Sequence, residues 1–70
     1  MQYIILNESK GYALYRQLDP GEEVWYIHEP YRLRYYEKYL WLRLEYSEDL
    51  KKLENQVKHF GGVLTENNRD

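Results

Sequence analysis

Short apolar runs separated by polar breaks fill the first half of the chain, and a helical rhythm follows near its end. Tyr3-Ile4-Ile5-Leu6 is the first run, and Tyr12-Ala13-Leu14-Tyr15-Arg16-Gln17-Leu18 lies between Gly11 and Asp19-Pro20-Gly21. That tripeptide predicts a chain reversal, because Pro presets φ at the second turn position and Gly tolerates positive φ at the third. Val24-Trp25-Tyr26-Ile27-His28, closed by Pro30, reads as a third strand, so the first 29 residues predict an antiparallel meander.

Leu50, Leu53, Val57 and Phe60 recur at helical spacing and predict an amphipathic helix over residues 48–60. Ser47 is its expected cap, and Glu48 and Asp49 stand where the positive end of the helix dipole favours acids. Glu48 with Lys52 and Glu54 with Lys58 are i,i+4 pairs in the favourable order. Gly61 and Gly62 supply the stop, and Val63-Leu64-Thr65 adds a last short strand.

Residues 30–46 admit two readings. As a strand, residues 39–46 put Leu40, Leu42, Leu44 and Tyr46 on one face and Tyr39, Trp41, Arg43 and Glu45 on the other. As a helix, Pro30 makes a good first residue, and no Val, Ile or Thr interrupts residues 28–56. Two apolar stripes with charges between them make a poor amphipathic helix, which favours the strand. The expected fold is a small α+β domain spanning residues 1–65, with a polar tail at 66–70. It consists of an antiparallel meander of about four strands with one C-terminal helix packed on one face. The alternative is a three-stranded meander followed by one long helix over residues 30–60.

Composition narrows the functions open to such a domain. Seventy residues allow one domain with a marginal core, and the absence of Cys excludes disulfide staples and metal–thiolate sites. The N-terminus has no basic stretch and only four consecutive apolar residues, so the expectation is a soluble, cytoplasmic protein. Two Ser, one Thr and two His supply no nucleophile beside a base. The adjacent acids Glu22-Glu23 and Glu48-Asp49 point apart on either a strand or a helix, and His28 and His59 lack partners at metal-ligand spacing. The glycines at 11, 21, 61 and 62 fit turns and a helix stop, with no phosphate-binding fingerprint. No catalytic residue, cofactor or metal site is expected, and the chain reads as a non-enzyme.

The net charge of −2 conceals an uneven distribution. Residues 1–30 carry Lys10 and Arg16 against five acids, a balance of −3, whereas residues 31–46 carry Arg32, Arg34, Lys38 and Arg43 against Glu37 and Glu45, a balance of +2. The basic segment also holds many of the rings, in a chain with nine Tyr, two Trp and one Phe. Tyr3, Tyr12, Tyr15 and Tyr26 sit where a small sheet uses Tyr as core filler. Tyr31, Arg32, Arg34, Tyr35, Tyr36, Tyr39, Trp41 and Arg43 are instead the candidate partner-binding set, with Trp41 pointing outward beside Tyr39 and Arg43 on an open sheet face.

Trp, Tyr and Arg dominate interface energetics, and mixed charge suits a protein partner better than phosphate. The expected function is therefore a small non-enzymatic protein-binding module, an adaptor or inhibitor of a larger protein that also self-associates as a homodimer. Its size and aromatic loading are similar in kind to those of small accessory proteins of phages and plasmids. The alternative is a weak RNA or single-stranded DNA binder, using residues 31–43 as a stacking platform with arginines for phosphates. A small nucleotide or metabolite held between Tyr and Arg side chains is a third reading. No membrane partner is expected.

Overall fold

A computed structural model describes residues 1–25 and 27–65. Tyr26 and the tail expected at 66–70 lie outside the described residues. The strands β1 (Gln2–Glu8), β2 (Gly11–Gln17), β3 (Leu33–Tyr36) and β4 (Tyr39–Ser47) are followed by helix α1 (Leu50–Phe60) and a two-residue strand β5 (Val63–Leu64). They form one sheet in the order β3-β4-β2-β1-β5, antiparallel except for the β1–β5 pair. The fold is the expected small α+β domain, and the strand at Tyr39–Ser47 excludes a long helix over residues 30–60.

The topology departs from a simple meander at the segment expected to be the third strand. Val24, Trp25, Ile27 and His28 are irregular, although their side chains favour strands. The place beside β2 is taken by β4, whose ladder continues past the strand end through Leu18 N–H donating to Leu40 O at 2.9 Å. Strand propensity is realised only where a ladder partner exists, and β4 has already filled this one. The Asp19-Pro20-Gly21 reversal is as expected: Glu22 N–H donates to Asp19 O at 3.0 Å and Gly21 has φ +80°.

The helix occupies the range its apolar stripe marks, but its cap differs. Asp49, not Ser47, is the N-cap, its carboxylate accepting from the Lys51 and Lys52 amides, while Ser47 Oγ accepts from the Asp49 amide. The acid predicted for the first turn thus serves as the cap itself, and Ser47 ends β4 two residues upstream. Gly61 adopts φ +75°, the left-handed conformation that stops the helix. Leu53 and Val57 are buried under the sheet, and Phe60 stacks on Tyr3 at a ring separation of 5.7 Å.

Two clusters, one on each face, make the core. Tyr3, Ile5 and Leu14 meet Leu53 and Val57 of the helix, with Tyr12, Leu44 and Leu50 around them. On the opposite face Ile4, Leu6, Ala13, Tyr15 and Trp41 pack together, flanked by Tyr36 and Tyr46. The second cluster overturns the expected outward Trp41: its indole is 5 % exposed and its N–H donates to Tyr36 O at 3.0 Å. The ring is held inward because β1 and β2 are apolar on both faces, and the face away from the helix also needs cover. A register shift against Leu14 and Tyr15 carries Tyr46 to that second face as well, rather than to the helix side with Leu44. Tyr3 and Tyr15 are buried, the core-filling role expected of them.

The β3–β4 hairpin turns through Glu37 and Lys38, both at positive φ, 50° and 76°. A two-residue turn of this kind favours Asn-Gly, since residues with a Cβ are disfavoured there. Lys38→Gly should therefore raise stability by about 0.5–1 kcal/mol, seen as a higher urea midpoint at unchanged m-value.

Candidate interaction face

Side-chain alternation along β3 and β4 sorts the candidate residues. Arg34, Tyr36, Tyr39, Trp41 and Arg43 share the face away from the helix, whereas Tyr35 lies on the helix side of the edge strand, 78 % exposed. Tyr31 precedes β3, half-buried and edge-on to His28 at 5.4 Å. Tyr39 is 54 % exposed beside the turn. The expected continuous ring platform is thus divided: Trp41 belongs to the core, Tyr35 faces the other way, and Tyr36 is half-buried.

The three arginines do come together, and two acids that the sequence reading did not single out organise them. Glu8 ends β1 on the same face as Ile4 and Leu6, and its Oε2 accepts from the Tyr15 hydroxyl at 2.5 Å and from Arg34 Nη1 at 3.4 Å. Its Oε1 accepts from Arg43 Nη1 at 3.3 Å. Glu29, on the loop before β3, accepts from Arg32 Nη2 at 2.8 Å and from Arg43 Nη2 at 2.7 Å. Arg43 also donates from Nε to Pro30 O at 2.8 Å. Arg34 lies over the rings of Tyr15 and Tyr36, at 6.0 and 5.8 Å. An open pocket of about 400 Å³ results, with Glu8, Tyr15, Glu29 and the three arginines around it. The signal for Glu8 was available, since residues 4, 6 and 8 of one strand must share a face.

Burial and the bond to Glu8 raise the Tyr15 hydroxyl above its ordinary pKa, so the ring stays neutral as donor. The Arg32 guanidinium holds the Glu29 carboxyl below its ordinary value, and Arg16, with Nη2 at 2.7 Å, does the same to Glu22. A depressed folded value means that these ion pairs are complete above the unfolded pKa and are lost as pH falls through the folded one. Carboxyl-carbon titration should place both midpoints below 4.5, and Arg16→Ala should return Glu22 towards that value while leaving Glu29 unchanged. Glu29 is exposed and Glu22 only half-buried, so the midpoints rather than stability carry this test.

A second groove of about 310 Å³ on the same face is lined by Gln2, Gln17, Tyr36, Tyr39, Trp41 and Thr65. Beside the face runs the outer edge of β3. Tyr36 and Tyr39 close the two-residue turn as a hydrogen-bonded pair, so Arg34 also bonds towards β4, and Arg32 O accepts from Arg43 N–H at 2.7 Å in the same phase. Leu33 and Tyr35 therefore direct their N–H and C=O groups away from β4, towards the side where no strand lies among the described residues. Their side chains are 44 % and 78 % exposed. The opposite sheet edge, β5, is only two residues long. No described helix is long and apolar enough to cross a membrane. Comparison with protein-family models, with curated proteins and with solved structures finds no match to this chain.

Proposed function

We propose that this chain is a small, non-enzymatic, cytoplasmic protein-binding module that adds a partner strand to the β3 edge, with a second copy of itself as the first such partner. The observation that carries the reading is the edge itself: Leu33 and Tyr35 expose side chains and outward backbone groups together. Strand addition uses main-chain hydrogen bonds for affinity and alternate side chains for specificity. Charge selects the register between two copies. Centring on Leu33 sets Arg32 opposite Arg34, and centring on Arg34 sets that arginine against itself, which is unfavourable. Centring on Tyr35 instead pairs Arg34 with Tyr36 of the second copy, an attractive cation–π combination. A chain without Cys needs no oxidising compartment, which supports the cytoplasmic setting.

Nucleic-acid binding is less well supported. In the 31–43 segment Trp41 is buried and Tyr35 lies on the opposite face from Tyr39, so no continuous stacking platform forms, and all three arginines face Glu8 or Glu29. Sedimentation of the chain alone, with titration of a labelled single-stranded RNA at low and moderate salt, separates the two. The expected result is a concentration-dependent dimer abolished by Tyr35→Pro, which removes an outward N–H, and no RNA binding at moderate salt. A monomer at every soluble concentration that binds RNA, and loses it on Arg32→Ala with Arg34→Ala, overturns the proposal.

A further inference from the structure

Glu29 occupies the arginine pocket as a ligand would. Its two oxygens bridge Arg32 and Arg43, yet its own side chain is 65 % exposed on a loop, and so is that of Arg32. Ion pairs at this exposure hold weakly and exchange readily. Arg43 is different: only 13 % exposed, it is fixed through Nε to Pro30 O and through Nη1 to Glu8, which leaves Nη2 aimed at the carboxylate. The pocket is thus a preformed receptor whose present occupant is tethered but replaceable. With Glu29 in place the three arginines outnumber the acids by one charge, and with Glu29 swung out by two.

We infer that the Arg32–Arg34–Arg43 pocket is a carboxylate-binding site for an acidic side chain of a partner protein, and that Glu29 is its built-in competitor. This deepens the protein-binding reading and rests on it. Two observations favour a protein carboxylate over phosphate. The group now held is a planar carboxylate, each of its two oxygens taken by a different guanidinium. Glu8 stays in the pocket, tied to the Tyr15 hydroxyl, and opposes a dianion more than a monoanion.

The probe is an end-blocked hexaglutamate peptide, followed through the Nε–H signals of Arg32 and Arg43 by NMR. Glu29→Gln should bind it about three- to tenfold more tightly than the parent chain, because removing an internal competitor raises the fraction of open sites. Glu48→Gln makes the same charge change at the exposed residue before the helix and should leave affinity nearly unaltered. Adding Arg32→Gln to Glu29→Gln should abolish the gain. Inorganic phosphate and a single-stranded oligouridylate, at equal ionic strength, should bind Glu29→Gln more weakly than the peptide. Equal tightening by Glu29→Gln and Glu48→Gln, no response of the guanidinium signals, or tighter binding of the oligouridylate would each overturn the inference. The guanidinium signals report the pocket and the Leu33 and Tyr35 amides report the edge, so failure of one is distinguishable from failure of the other.

Discussion

Trp41→Ala should remove a large share of the fold's stability rather than merely weaken an interaction. The indole is the largest member of the cluster with Ile4, Leu6, Ala13 and Tyr15, and is 5 % exposed. Large-to-small substitution of a buried aromatic costs about 3–5 kcal/mol, and removing the indole also takes away its hydrogen bond to Tyr36 O. A domain of this length has roughly 4–10 kcal/mol in total. Trp41→Phe should cost less, about 1–3 kcal/mol, since it keeps much of the ring while losing the N–H. Urea unfolding followed by far-UV circular dichroism measures both. A wild-type midpoint for Trp41→Ala would mean that the ring is not packed as described. Loss of partner binding in that variant would report loss of fold, so the informative binding variants are at Leu33, Tyr35 and Arg32.

Glu8→Ala should be the most damaging substitution among the exposed and half-buried acids. One carboxylate accepts from Tyr15, Arg34 and Arg43, two of which are largely buried. Breaking one partner from a buried charged network costs about 3–5 kcal/mol, and the 21 % exposure of Glu8 reduces the expectation to about 2–3 kcal/mol. Tyr15→Phe alone should cost about 1.5–3 kcal/mol, by loss of one hydrogen bond to a charged group. In the Glu8→Ala background the same change should cost far less, because the hydroxyl has already lost its acceptor. A double-mutant cycle by urea unfolding measures that coupling, and strict additivity would show that Glu8 and Tyr15 do not act together.

The elements that depend on local signals were legible in the sequence. The stripe of Leu50, Leu53, Val57 and Phe60 marked the helix, Gly61 marked its stop, and Asp19-Pro20-Gly21 marked the turn. What escaped depends on distant partners. Val24 to His28 has strand composition, but β4 lies beside β2, and the described residues of that run, Val24, Trp25, Ile27 and His28, have no ladder. Alternation separated Trp41 from Leu42 correctly, yet gave no reason to think its face closed. That reason lay elsewhere: Ile4-Ile5-Leu6 and Ala13-Leu14-Tyr15 are continuous apolar runs, the mark of strands buried on both sides. The register shift that moves Tyr46 across the sheet has no local signature, because it is set where β2 meets β4. Among the candidate residues, Arg32, Arg34 and Arg43 do converge, while the acids that hold them, Glu8 and Glu29, come from β1 and from the loop before β3.

Strand addition at the β3 edge is read most directly by amide hydrogen exchange across a dilution series. Leu33 and Tyr35 N–H groups should exchange progressively more slowly as protein concentration rises, whereas those of Arg34 and Tyr36, already directed to β4, should change much less. Exchange at Leu33 and Tyr35 that is independent of concentration, or protection that builds first on the helix α1 side, would contradict it.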